Sequence, residues 1–188
     1  VIAEELTAAR TGKKATEELG GILQFLSEQL KISEFAEAAL QNQGIVDLMF
    51  GEKYIESSVK AVMTNPIALA AALKTNKKDQ IVEKAVQNPM DLLRGMLQYC
   101  EENSTDEDSV KKSAEALKEI LSDAEVKRAV FDYRGDAATA SDRNQVIEFL
   151  KSKLDATSTT HASIKAVLQE FVEEHDKSAG LDKKDVDQ

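Results

Sequence analysis

The sequence predicts an all-α fold, an array of short antiparallel helical hairpins arranged as a right-handed solenoid or as an irregular multi-helix bundle. Only two of the 188 residues are proline and eight are glycine, and the dominant residues, Ala, Leu, Glu, Lys and Gln, lose little freedom in a helix. Apolar residues recur every three or four positions, and no stretch alternates as a strand does. With 42% apolar residues, a chain of this length can bury a substantial core.

The first part of the chain contains three helix patterns. Leu19 to Leu30 place apolar side chains on one face of a helix of roughly four turns. The pair Gly20-Gly21 lies inside this pattern, where we expect a close crossing with another helix. Ser33, an N-cap type of residue, predicts the start of the second helix. A short helix or structured connection follows at Ile45 to Phe50.

A nearly identical phrase occurs twice, KAVMTNP at Lys60 to Pro66 and KAVQNP at Lys84 to Pro89, about 24 residues apart. Asn tolerates the left-handed conformation that closes a helix, and Pro fits the first turn of the next one. We therefore predict structural corners at Asn65, Pro66, Asn88 and Pro89. Each corner joins two helices into a hairpin: Tyr54 to Met63 with Pro66 to Lys74, then Asp79 to Gln87 with Pro89 to Glu101.

The second half continues the same pattern after the acidic linker Glu102 to Asp108. Ser122 and Glu125 are spaced as a capping box, which predicts a third hairpin at this point. Gly135 is typical of a residue that ends a helix, and a loop follows from Asp136 to Ser141. The predicted helices of this half are Val110 to Leu121, Glu125 to Arg134, Asp142 to Leu154, and a last one through Ile164 to Val172.

These elements predict one all-α domain over residues 1–176, with an alternative sub-boundary near 102–108, and a solvated tail over 177–188. The chain begins at Val1 and lacks a signal-peptide pattern, so we expect a domain excised from a larger protein or a processed product. The apolar run Ile67 to Leu73 is too short to span a bilayer. The single Cys100 favours a reducing, cytoplasmic compartment, while secretion stays open because upstream sequence is missing.

Composition argues against several classes of chemistry. A net charge of −10 with dispersed lysine pairs lacks the basic stripe that nucleic acids require. One cysteine and two histidines, His161 and His175, are too few for a typical zinc site. Cys100 follows Met96 and Leu97 on a helix, which predicts a buried, unreactive thiol. We therefore expect no metal, no cofactor and no nucleic acid.

The segment 51–100 is the only part of the chain with more basic than acidic side chains. The predicted function is a non-enzymatic scaffold or adaptor module that binds a protein partner, and the acidic balance elsewhere points to this segment for an acidic one. The candidate partner-binding residues are Lys77, Lys78, Lys84 and Arg94.

Besides a purely structural segment of a larger chain, whose acidic character would serve solubility, two functional alternatives stay open. An enzyme or enzyme regulator with active-site residues dispersed over several helices would show no local motif; it requires a pocket that brings His161 or His175 against Cys100 or a carboxylate. Adhesion is the other alternative, because Arg134-Gly135-Asp136 spells the tripeptide of integrin-binding ligands.

Overall fold

A computed structural model describes residues 13–103, 105–135 and 144–184, and the side chains of 20–103, 105–135 and 144–180. Within these ranges the chain forms eleven α-helices and no strand, which confirms the all-α prediction. The helices are α1 (Lys13–Gln29), α2 (Ser33–Ala39), α3 (Gln43–Met49), α4 (Ile55–Val62), α5 (Pro66–Ala72), α6 (Lys78–Ala85), α7 (Pro89–Glu102), α8 (Glu107–Leu121), α9 (Ala124–Phe131), α10 (Gln145–Leu154) and α11 (Ala162–Lys184).

The chain divides into two compact units, Val1–Ala85 and Val86–Gln188. The first contains α1 to α6 and the second α7 to α11. The division falls between α6 and α7, the two helices of the second predicted hairpin. A single domain over 1–176 and a boundary near 102–108 stay predictions.

The first unit is organised around α4, which contacts α1, α5 and α6, while α2 contacts α5. Apart from α1, these helices have only seven or eight residues, so their stability depends on burying their apolar faces against their neighbours rather than on intrinsic helix propensity. The largest fully buried side chains of this unit are Phe50, Leu23, Leu30, Met49, Leu69 and Ile81.

The second unit is organised around α8, which contacts α7, α9 and α11. Helix α10 contacts α9 and α11, and α7 contacts α9. The last helix continues to Lys184, well beyond the segment Ile164 to Val172 that its apolar pattern marked, and residues 177–180 are exposed on it. The largest fully buried side chains here are Leu92, Leu93, Met96, Leu97, Leu117 and Ile120.

Asn and Asp side chains begin most of the helices. At six helix starts the side-chain oxygen accepts a hydrogen bond from a backbone N–H of the first turn, which satisfies a donor that has no partner inside the helix. These N-caps are Asn42, Asn65, Asn88, Asp106, Asp123 and Asn144.

The caps correct three sequence-based expectations. Asn65 and Asn88 begin the following helix instead of closing the preceding one, and in the described residues no non-glycine residue has a positive φ. Asp123, not Ser122, caps α9, while the Ser122 hydroxyl donates back to the carbonyl of Lys118. Ser33 is buried in the first turn of α2 and does not act as its cap.

The Gly20-Gly21 pair also differs from expectation. A Cβ placed on either glycine meets no described atom within 4 Å, so the expected close helix crossing is absent there among the described residues. Gly135, by contrast, has a φ of 78°, a conformation that L side chains adopt only with strain. Among the described helices, none is both long enough and apolar enough to cross a membrane.

Candidate binding groove

A groove of about 370 Å³ runs along the first unit between α1 and α4. On α1 its lining residues recur at three- and four-residue spacing, so they form one stripe of that helix. A second stripe comes from α4 and the residues that flank it. The lining residues are Gly20, Leu23, Gln24, Ser27, Glu28 and Lys31 from the first stripe, and Tyr54, Ser57, Lys60, Ala61 and Thr64 from the second.

The groove is open because small residues occupy the positions where two packed helices normally interdigitate. Gly20, Ser27, Ser57 and Ala61 lack the branched side chains that would fill the space. The two stripes span twelve and eleven residues, positions 20–31 and 54–64, which corresponds to about 15 Å of helix at the usual rise per residue. The floor includes Leu23, which is almost fully buried.

Asn65 fixes the direction of the two helices. Its Nδ2 donates to the carbonyl of Lys31 (2.8 Å) and to the hydroxyl of Ser33 (2.9 Å), while its Oδ1 accepts from the backbone N–H groups of Ile67 and Ala68 (3.0 and 3.3 Å). Asn65 has 0% exposure. The C-terminal end of α1 therefore lies beside the C-terminal end of α4. The two helices are parallel along the groove.

The charges of the groove are concentrated at that end. Lys31 pairs with Glu28 across 2.8 Å, and both side chains remain largely exposed. Lys60 is exposed and makes no ion pair within the described part of the chain. At the opposite end, no charged residue joins Gly20 and Tyr54 among the described lining residues. Within the part of the chain whose side chains are described, the groove thus has an uncharged end and a cationic end.

The four predicted partner-binding residues lie elsewhere. Lys77 and Lys78 flank the start of α6, and Lys84 is in its last turn. The Lys77 Nζ lies 3.8 Å from a carboxylate oxygen of Asp47, and Lys78 also has an interaction partner. Arg94 belongs to the second unit, where its guanidinium lies 5.8 Å from the centre of the Phe149 ring. None of the four lines the groove.

Sequence reasoning missed the groove because its signal is a spacing of small residues rather than a run of basic ones. Gly20, Ser27 and the cluster around Ser57 look like ordinary helix positions in the sequence. Lys60 stands at the same place in the repeated phrase as Lys84, yet only Lys60 lines the groove.

The two Asn-Pro corners, alike in sequence, differ in the structure. Both prolines occupy the first turn of their helix and are buried. The Asn65 side chain is buried and makes four hydrogen bonds. Asn88 is exposed, and within the described residues its side chain bonds only to Asp91, through the backbone N–H (3.2 Å) and the carboxylate (2.7 Å). Asn65 therefore links two separate turns of the first unit, whereas Asn88 caps its own helix.

Asn144 has the same kind of position in the second unit. Its Oδ1 caps α10 through Val146 and Ile147, and its Nδ2 donates to the carbonyls of Val130 (2.6 Å) and Phe131 (3.0 Å) at the end of α9. One amide side chain again joins the end of one helix to the start of another.

Cys100, His161 and His175 are the groups considered for nucleophilic chemistry. Cys100 is 4% exposed, and burial, aided by the charge of Glu101, raises the pKa of its thiol to about 12. His161 is exposed, and its Nδ1 accepts from the backbone N–H of Ser163 (3.2 Å). The Nδ1 of His175 lies 3.1 Å from Asp176, and the His175 ring meets Phe131 edge to face. The polar partners of both histidines are their neighbours in sequence.

A partly buried polar cluster of the second unit centres on Glu101. Its Oε1 accepts from the Lys153 ammonium (2.6 Å) and from the Thr160 hydroxyl (3.1 Å). The Lys153 ammonium also lies 5.6 Å from the centre of the Phe149 ring. This cluster joins α7, α10 and the turn before α11, and its satisfied hydrogen bonds are those of a structural contact.

In the described residues no cluster of three or more His, Cys, Asp or Glu side chains could hold a metal ion. The Arg134 guanidinium donates to the carbonyls of Phe131 and Tyr133, and Asp136 lies outside the described residues. Adhesion through Arg134-Gly135-Asp136 therefore stays a prediction.

Comparison with known proteins returned no match to a family model, to a curated protein or to a solved structure. A function for the chain therefore rests on its own residues and geometry.

Proposed function

We propose that the chain is a non-enzymatic helical module that binds a segment of a partner protein in the groove between α1 and α4. The observation that carries this proposal is the groove itself, about 370 Å³ in volume, with small residues at five of its eleven lining positions. A length of about 15 Å accommodates roughly three turns of a helix. Helix-in-groove recognition uses surfaces of this kind.

The arrangement of the first unit supports the hairpin-array part of the proposal. Helix α1 contacts α4, and α2 contacts α5. Suppose that α1 and α2 form one hairpin and that α4 and α5 form another. These contacts then stack the first helix of one hairpin on the first helix of the other, and the second helix on the second. Stacked hairpins of a solenoid pack in this way and leave an extended binding surface. Asn65 ties the turn of one hairpin to the turn of the other.

Gly20 adds a second line of support. A glycine inside a helix costs about 0.5–1 kcal/mol relative to alanine. Here, outside the neighbouring residues and the helix's own backbone, no described atom lies within 4 Å of the position that an alanine methyl group would occupy, so packing among the described residues does not require glycine. A partner backbone that approaches the helix closely would require it.

The test is site-specific photo-crosslinking in extract of the source cells. A photoreactive residue at Ser57, on the groove, is compared with one at Glu115, an exposed position on α8. We expect one protein to be captured from Ser57 alone, and its capture to be lost when Ser27→Leu fills the groove.

Equal capture from both positions, or capture that survives Ser27→Leu, would count against the groove. Charge reversal at Lys77, Lys78 and Lys84 tests the basic residues around α6 in the same assay. If the charge-reversal variant no longer captures the partner while Ser27→Leu still does, the binding surface lies on α6.

A further inference from the structure

We infer that the segment bound in the groove is an amphipathic helix with carboxylates clustered at one end, which lies against Lys31 and Lys60. The inference rests on the proposed function and specifies the chemistry of the partner. It follows from the charges along the groove, the shape of its uncharged end, and the direction that Asn65 imposes on α1 and α4.

The cationic end is defined by two ammonium groups and a single carboxylate. Glu28 neutralises Lys31 at 2.8 Å, which leaves Lys60 without a partner in the described residues. Glu56 stands one helical turn from Lys60, but the two make no ion pair. A ligand carboxylate at this end gains an attraction that the chain itself does not use.

The other end selects an apolar group. Gly20, the floor residue Leu23 and the ring of Tyr54 surround it. The nearby Lys53 ammonium lies 5.2 Å from the centre of the Tyr54 ring and does not line the groove. A carboxylate here would lose water without gaining a cation among the lining residues. An apolar side chain or a closely packed helix backbone fits this end.

Gly20 and Lys31 are eleven positions apart in the first stripe, about 16 Å of helix, while Tyr54 and Lys60 are six positions apart in the second, about 9 Å. A partner helix therefore places its apolar residues and its acidic residues in different turns of the same face. A helix with acidic residues at both ends, or at neither, would match the groove less well.

The experiment is a selection of displayed helical peptides about fourteen residues long, randomised on one face. Peptides are selected on the full chain and counter-selected on Ser27→Leu and Ser57→Leu, two groove-filling variants whose folding is checked by circular dichroism. We expect the enriched peptides to carry Asp or Glu at one end and apolar residues at the other.

Charge reversal then tests the position of the acidic end. Lys60→Glu should weaken a selected peptide about five- to tenfold, because one attraction is lost and one repulsion is added at an exposed site. Lys84→Glu is the matched control: it alters the same position of the repeated phrase and the same net charge, outside the groove. We expect it to change the dissociation constant less than twofold.

The outcomes separate this inference from the proposed function. Groove-dependent peptides that lack an acidic end, or that tolerate Lys60→Glu, would overturn the inference and leave the function standing. A selection without any groove-dependent peptide would overturn both. Self-association that Ser57→Leu abolishes, measured by analytical ultracentrifugation, would show that the occupant is a second copy of the chain and would also overturn the inference.

Discussion

Replacing Asn65 with alanine should destabilise the protein far more than the same change at Asn88, although both residues stand in the same phrase. Asn65→Ala removes a helix N-cap, which costs about 1 kcal/mol. It also removes the donor to the Lys31 carbonyl and the Ser33 hydroxyl. Leaving the part-buried Lys31 carbonyl without this donor costs about 1–3 kcal/mol. The sum is about 3 kcal/mol, against about 1 kcal/mol for the exposed Asn88, where only the cap is lost.

Urea unfolding measures this difference. For a slope of about 2 kcal/mol per M, Asn65→Ala lowers the midpoint by about 1.5 M and Asn88→Ala by about 0.5 M. Because the chain contains two compact units, hydrogen exchange of amides in α1, α4 and α5 is followed as well. We expect exchange to accelerate in these helices only in the Asn65 variant.

A second substitution isolates the donated bonds. Asp is as good an N-cap as Asn, so Asn65→Asp keeps the two accepted bonds and replaces the donor amide with a carboxylate oxygen facing the Lys31 carbonyl. We expect Asn65→Asp to be at least as destabilising as Asn65→Ala. Equal losses at Asn65 and Asn88, or a neutral Asn65→Asp, would refute the assignment of Asn65 as a link between two turns.

Three further predictions concern single residues. Ser58 is fully buried and its hydroxyl has no hydrogen-bond partner among the described residues, so Ser58→Ala should raise the free energy of unfolding by about 1 kcal/mol; a loss would show that a partner exists. In thermal unfolding, Gly21→Ala should stabilise the protein by about 0.5–1 kcal/mol. Gly135→Ala, at a φ of 78°, should destabilise it by about 1 kcal/mol. A change of the same sign in both variants would contradict the described geometry. Cys100, with a thiol pKa of about 12, should react with a disulfide reagent at pH 8 only after urea is added; fast labelling of the folded chain would show that it is accessible.

The helical class and most helix positions followed from the sequence, because a period of three to four residues and scarce Pro and Gly leave few alternatives. Helix starts were harder to predict. Ser33 and Asp123 both carry side-chain oxygens suited to capping a helix. Asp123 caps α9, whereas Ser33 does not cap α2. Ser33 accepts from Asn65 instead, and a single sequence does not show a contact over that separation.

The candidate site could not be predicted from local sequence patterns. The sequence favoured Lys77 and Lys84 because basic side chains cluster near them, whereas the groove depends on which helix faces meet. Stripes from α1 and α4 come together although some 30 residues separate them along the chain. Only the three-dimensional arrangement distinguishes Lys60 from Lys84.

The two ends of the groove also differ in how readily they separate. At the Lys31 end, separating the turn that follows α1 from the turn that follows α4 breaks both hydrogen bonds donated by Asn65. At the Gly20 end, no hydrogen bond among the described residues joins the two helices. Local opening should therefore begin at the Gly20 end and stop at Asn65. The groove should therefore widen at the Gly20 end while its width at the lysine end stays fixed. An incoming helix would meet a fixed cationic end and an adjustable apolar end.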